Sequence, residues 1–147
     1  MKIAIGADHG GFEQKHRLVP WLGGLGHEVR DFGCDSTESC DYPDFAEPVA
    51  RAVAQGKADY GILVCGTGIG MAISANKVAG VRAANVTSPQ FARLAREHNN
   101  ANLLTLSGRF VSLEDNQAII SDFLKTDFAG GRHQRRVDKI MALESTD

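Results

Sequence analysis

The sequence has no long apolar run, no surplus of either charge and no paired cysteine pattern, and each absence closes off a class of protein. Nothing in its 147 residues approaches the roughly 20 apolar residues of a membrane-spanning helix. The first residues meet Asp8 too early to read as a secretory signal, so a cytoplasmic location is expected. A formal net charge of −2 leaves no electrostatic footprint for nucleic acid or for an anionic membrane. The three cysteines, Cys34, Cys40 and Cys65, are odd in number and lack Cys-x-x-Cys or Cys/His spacing. Neither a disulfide framework nor a zinc site is indicated, and reduced thiols are expected. No repeat, low-complexity tract or linker breaks the chain. With 43% hydrophobic and 23% charged residues, it reads as one globular domain over residues 1–147.

What the chain does have is glycine, concentrated in one stretch. Tyr60-Gly61-Ile62-Leu63-Val64 is short and β-branched enough for a buried strand, and Cys65-Gly66-Thr67-Gly68-Ile69-Gly70 follows as a turn before helix-compatible residues 71–77. Glycines at alternate positions let the backbone turn sharply and aim several N–H groups into one concavity at a helix start, where an anion is favoured. A thiol opens that turn and a hydroxyl sits two residues on, which suggests an anion-stabilising pocket with its own nucleophile or base. The spacing is neither the dinucleotide fingerprint nor a P-loop, because no third glycine falls three positions on and Lys77 comes too late. Two plainer readings stay open. Such a turn is often only tight packing, and an unpaired cysteine is often an inert buried residue.

Taken in order, strands are expected at 2–6, 27–32, 60–64, 81–86 and 102–106, the second at or near an edge because of its charges. Helical patterns lie between them. The first starts at Phe12 and ends at Gly26, with Pro20 arguing for a kink or early break. The second runs through Phe45 to Gly56, its first residue uncertain because Pro48 is tolerated only near a start. Ser88-Pro89 caps a fourth helix with an apolar stripe of Phe91, Leu94 and Ala95, and a fifth carries Leu113 to Leu124. Beyond the basic run at 130–136 comes a terminal helix with Val137, Ile140, Met141 and Leu143. Strands alternating with helices imply a doubly wound α/β fold, a five-stranded parallel sheet with helices on both faces. In such sheets ligands bind beyond the carboxyl ends of the strands. Asp8 and His9 follow the first strand, Cys65 and Thr67 the third and Arg109 the fifth, as that rule requires. His98 and Asn99 precede their strand and need another explanation, such as a partner subunit.

Several separated motifs together resemble one family. Asp8-His9-Gly10-Gly11-Phe12-Glu13, Asp41-Tyr42-Pro43, the 65–70 turn, Ala75-Asn76-Lys77, Glu97-His98-Asn99 and Gly130-Gly131-Arg132-His133-Gln134-Arg135-Arg136 are similar to the type B ribose-5-phosphate isomerases, through nearly the whole chain. The wider family includes allose-6-phosphate and galactose-6-phosphate isomerases. The resemblance implies an aldose–ketose isomerase that opens a sugar phosphate ring and works through an enediolate, without metal or other cofactor. It implies Cys65 as the carbon-acid base, active as thiolate, with Thr67 and the backbone N–H groups of Gly66, Thr67, Gly68, Ile69 and Gly70 around the oxyanion. One branch instead carries a glycine at the place of Cys65 and a glutamate base at the place of Met71; this chain resembles the cysteine branch.

By the same resemblance His98 serves ring opening, His9, Arg132 and Arg136 hold the phosphate, Asp8 and Asn99 bond sugar hydroxyls, and Arg109 lies near the same pocket. Read without it, His98 is as well explained as a helix C-terminal cap, Asp8 as a turn cap, and the arginine run as a solvated patch. The resemblance further implies a homodimer with shared sites, or a tetramer built from such dimers. Departures are Gly10 where alanine is common, and Ser107-Gly108 before Arg109 where a glycine-led turn is usual. The competing readings are an isomerase of a six-carbon sugar phosphate and a non-catalytic phosphosugar-binding protein. Cys65, Thr67 and His98 together argue against the latter, since binding alone needs no base.

Overall fold

The short apolar runs become strands and the 3.6-periodic stretches become helices in the computed structural model, which describes residues 1–145. In chain order they are β1 (Lys2–Ala7), α1 (Phe12–Gly24), β2 (Glu28–Asp31), α2 (Pro43–Ala54), β3 (Tyr60–Cys65), α3 (Ile69–Ala75), β4 (Ala83–Asn85), α4 (Pro89–Asn99), β5 (Leu103–Ser107), α5 (Leu113–Lys125) and α6 (Arg132–Ala142), with a closing 3₁₀ turn (Leu143–Ser145). The strands form one sheet in the order β2-β1-β3-β5-β4, every neighbouring pair parallel. This is the expected doubly wound architecture, with the charged β2 at an edge.

Side chains alternate across the sheet and give it two apolar faces. Ile3, Ile5, Ala7, Ile62, Val64, Leu104 and Leu106 meet Leu18 and Leu22 of α1, Ala92 and Ala95 of α4, and Ile119, Ile120 and Phe123 of α5. Ala4, Leu63, Cys65 and Leu103 face the other way, against Val49, Ala50 and Val53 of α2 and Met71 and Ala75 of α3. Helices on both faces leave the three inner strands dry, which is why they read as continuous apolar runs.

Several local expectations are corrected. Pro20 does not end α1, which continues to Gly24 with His16 and Pro20 both on its exposed side. Pro43 opens α2, and Pro48 is carried inside it. The helix after the glycine turn starts at Ile69 and ends at Ala75, earlier than residues 71–77. Arg132 opens α6 rather than preceding it. Phe91, Ile140 and Leu143 are exposed instead of forming core stripes. On α4 the buried side is Ala92, Ala95 and Arg96, and the Arg96 guanidinium lies over the rings of Tyr60 and Phe123 while donating to the Ala101 and Thr126 carbonyls.

Strand order reverses at β1, with β2 on one side and β3 on the other, so the turns after β1 and β3 lie side by side at the switch point. Gly11 makes that approach possible. A Cβ there would stand 2.3 Å from the Val64 carbonyl oxygen, a backbone atom that cannot yield without disrupting β3. Gly11→Ala is expected to lower the melting temperature by roughly 10 °C or more, or to abolish soluble expression. A melting curve superimposable on the wild type would contradict this packing.

Candidate active site

Cys65 is the last residue of β3, only 5% exposed, and its Sγ accepts the Gly68 N–H at 3.1 Å. The chain bends back onto the thiol because Gly68 adopts φ +83°, a conformation open to glycine and costly for other residues. Space demands glycine there as well, since a Cβ would lie 2.4 Å from Asn85 Oδ1, which itself accepts from the Thr105 hydroxyl at 3.1 Å. Thr67 is exposed, with Oγ1 accepting from the Ile69 N–H at 3.2 Å. Over Gly70 lies the Tyr42 ring, 2.5 Å from where a Cβ would stand.

The β1 turn closes the other side of this concavity. Asp8 is buried, and its Oδ1 accepts from the N–H groups of Gly10 at 2.8 Å and Gly11 at 3.2 Å, so it caps its own turn. His9 Nδ1 accepts the Cys40 N–H at 3.2 Å, which ties the 33–42 loop to the site. Arg109 leaves the end of β5 and lays its guanidinium along both turns, 3.3 Å from a Cβ built on Gly10 and 3.2 Å from one built on Gly66. Asp8, His9, the 65–70 turn and Arg109 therefore converge at the carboxyl end of the sheet.

His98, Asn99, Arg132 and Arg136 do not join them. His98 and Asn99 end α4, immediately ahead of β5, and so lie at the amino end of the sheet. The length of β5 separates the two ends, on the order of 13 Å at strand rise. There the His98 ring stacks on His133, centroids 4.3 Å apart, and the Ala129 N–H donates to the Glu97 carbonyl at 3.1 Å, docking the start of α6 on the end of α4. Arg132 and Arg136 are both exposed, one turn apart beside this stack. A cleft of about 550 Å³ opens at this same end, lined among others by Asn76, Arg82, Ala84, Asn99, Ile140 and Leu143. Cys65 does not face it. The chain thus carries two half-sets of polar groups on opposite ends of one sheet.

Withdrawal of solvent from the stacked ring lowers the His133 pKa, and the His98, Arg132 and Arg136 charges push the same way. Because the folded chain binds this proton less readily than the unfolded one, the associated stability is present above the unfolded value of about 6.5 and lost as pH falls through the lower folded value. Histidine titration by NMR should find His133 below the ordinary range, and closer to it in His98→Asn. A His133 midpoint unmoved by that substitution would contradict the coupling.

Among the described residues no three His, Cys, Asp or Glu side chains converge as a metal site, and no helix is long and apolar enough to cross a membrane. Asn85, Tyr42 and His133 join the expected site residues here; Tyr42 and His133 lie within family motifs, and Asn85 lies in none. A polar residue at the end of a strand was the available signal for Asn85.

The ribose/galactose isomerase family model matches residues 3–140. The chain is 49% identical over 143 residues to ribose-5-phosphate isomerase B of Escherichia coli strain K12, covering 97% of this chain and 96% of that protein. Ribose-5-phosphate isomerase B of Clostridium thermocellum superposes with a TM-score of 0.97 at 50% identity, over 99% of this chain and 98% of that one. The Mycoplasma genitalium enzyme, solved with ribulose 5-phosphate bound, gives a TM-score of 0.96 at 47% identity over 99% and 97% of the two chains. A match that takes in both half-sets, on a fold this similar, places the chain within one family: it belongs to the ribose/galactose isomerases.

Proposed function

We propose that this protein interconverts ribose 5-phosphate and ribulose 5-phosphate, with Cys65 as the base that moves the proton and a second copy of the chain completing each site. The observation that carries this reading is the placement of Cys65: a thiol at a strand end, under the Gly68 N–H, in a turn of backbone donors at the switch point. The relative with ribulose 5-phosphate bound supports the choice of substrate. The concavity that opens at Cys65 accepts the negative charge that develops on the sugar oxygen.

In the forward direction His98 of the second copy opens the furanose by moving a proton between the anomeric hydroxyl and the ring oxygen. The Cys65 thiolate then removes the C2 proton from the open aldehyde, leaving an enediolate. Transfer of a hydroxyl proton from the C2 oxygen to the C1 oxygen and return of the sulfur-held proton to C1 give the ketose. Backbone N–H groups from Gly66 to Gly70 and the Thr67 hydroxyl bind the oxyanion. Asp8 and Asn99 hold sugar hydroxyls, while His9, Arg132 and Arg136 neutralise the phosphate, with Arg109 alongside.

Half of these groups lie at the far end of their own sheet, so one subunit supplies Cys65 and the other supplies His98, Asn99, Arg132 and Arg136. Exposed apolar side chains flank both half-sets, Ile69 and Ile73 on α3 and Ile140 on α6, as an association surface requires. Steady-state assays on chelator-treated protein with ribose 5-phosphate, allose 6-phosphate and galactose 6-phosphate test the reading. A specificity constant for the pentose at least about tenfold above either hexose is expected. A hexose preference would transfer the reaction to a six-carbon substrate. No turnover of any of the three by folded protein would sink the isomerase reading.

A further inference from the structure

Where β5 ends, the turn over residues 107–111 presents carbonyls that no strand pairs, and two side-chain amides take them, one on the buried Asn116 and one on the half-buried Gln14. The Ser107 carbonyl accepts from Asn116 Nδ2 at 2.9 Å, and those of Gly108 and Val111 accept from Gln14 Nε2 at 3.2 and 2.7 Å. Asn116 Nδ2 also donates to Gln14 Oε1 at 2.7 Å. Backbone carbonyls can only accept, so these bonds fix which way each amide faces. Asn116 is fully buried, and its Oδ1 has no protein partner among the described residues. A buried polar atom left unpaired points to a constraint elsewhere. Here the constraint is to keep the donor end of Asn116 on the turn.

That turn in its own right grips the turn after β3. The Ser107 hydroxyl donates to the Gly66 carbonyl at 2.7 Å and accepts the Phe110 N–H at 3.0 Å. The Gly108 N–H donates to the Cys65 carbonyl at 2.8 Å and the Arg109 N–H to the Gly66 carbonyl at 3.2 Å. In a trans peptide the C=O and the following N–H point in opposite directions. Holding the Cys65 and Gly66 carbonyls toward β5 therefore turns the Gly66 and Thr67 N–H groups away from it, toward the concavity shared with the β1 turn. Gly66 N lies 3.1 Å from a Cβ built on Gly10, which agrees with that direction. Among the described residues neither N–H meets a protein acceptor.

We propose that Ser107, Asn116 and Gln14 are positioning residues, a hydrogen-bonded chain that sets the two peptide planes from which Gly66 and Thr67 donate to the enediolate oxygen. The inference rests on the isomerase reading of this site. It also gives a role to Ser107, one of the departures from the usual family turn.

Donors that act on charge appearing in the transition state govern kcat and leave KM nearly untouched. Ser107→Ala, Asn116→Ala and Gln14→Met are each expected to lower kcat about tenfold to a hundredfold, with KM for ribose 5-phosphate within about twofold of wild type. Ser107→Thr, which keeps the hydroxyl, should recover most of the loss. The Ser107→Ala, Asn116→Ala double variant should lose no more than about the larger single effect, because both break one chain. Backbone amide hydrogen exchange supplies a readout without turnover. The Gly108, Arg109 and Phe110 N–H groups, held by the Cys65 and Gly66 carbonyls and the Ser107 hydroxyl, should exchange at least about tenfold faster in Ser107→Ala, while residues 3–6 of β1 stay protected.

Wild-type kcat in the single variants, losses that multiply in the double, or a loss carried by KM would each overturn the proposal. A wild-type protein that turns over no sugar phosphate would count against the isomerase reading. Exchange at 108–110 would then still decide the positioning, and rates unchanged in Ser107→Ala would overturn it.

Discussion

Replacing Cys65 with serine is expected to lower kcat by about 10²- to 10⁴-fold while the protein keeps its fold and its affinity for the phosphosugar. The substitution changes one atom. Serine fits the space of a side chain that is 5% exposed, and its hydroxyl can accept the same Gly68 N–H, so packing against α2 and α3 should survive. What is lost is the accessible anion, since an alcohol ionises far above the range of a thiol and supplies almost no base at neutral pH. Met71, fully buried beneath the turn, offers no substitute base. The check is a pair of measurements: kcat by direct detection of the ketose, and ribose 5-phosphate binding by calorimetry. A serine variant with more than about a tenth of wild-type kcat would remove Cys65 from the base role. A variant that loses binding in proportion would reassign it to holding substrate.

The second large effect is recovery of activity on mixing two inactive variants. Cys65→Ala and His98→Asn each disable every site in their own homodimer if the site is shared. In a mixed dimer one site unites both lesions and the other receives an intact Cys65 and an intact His98. Random reassembly makes half the dimers mixed, so about a quarter of wild-type activity on the furanose substrate is expected from two preparations that separately show almost none. The prediction follows from the distance between the half-sets, which stand at opposite ends of β5 and cannot meet within one chain. Failure of complementation, with subunit exchange confirmed by mass spectrometry, would overturn the shared site. Two singly substituted proteins that are each fully active would overturn both assignments at once.

Much of the architecture was legible because local patterns carried it. The apolar runs at 60–64 and 103–106, the alternation of strand and helix and the glycine turn at 65–70 each reflect a requirement within a few residues. The errors also have local causes. Pro20 reads as a break because its lost hydrogen bond is a local cost, and only the fold shows the helix carried past it on the exposed side. Phe91, Ile140 and Leu143 looked like core because apolar residues at helical spacing usually are, yet all three are exposed. Periodicity reports which residues share a face, and it is silent about what that face meets. Arg96 is the converse case: two rings and two carbonyls receive a charged side chain in the interior, and no local pattern marks it.

By itself the sequence determined the class of sheet, the thiol at the opening of its glycine turn and the family motifs, because each depends on residues adjacent in the chain. Tertiary structure decided the rest. Sheet order β2-β1-β3-β5-β4 placed the turns after β1, β3 and β5 side by side, while the end of α4 and the start of α6 meet at the far end with His98 and the arginines. It also joined Gln14 to Asn116 across 102 positions, two amides with no motif between them. Such pairings are fixed by which strands become neighbours, and that choice is made by burial summed over the whole chain, which no short stretch of residues records.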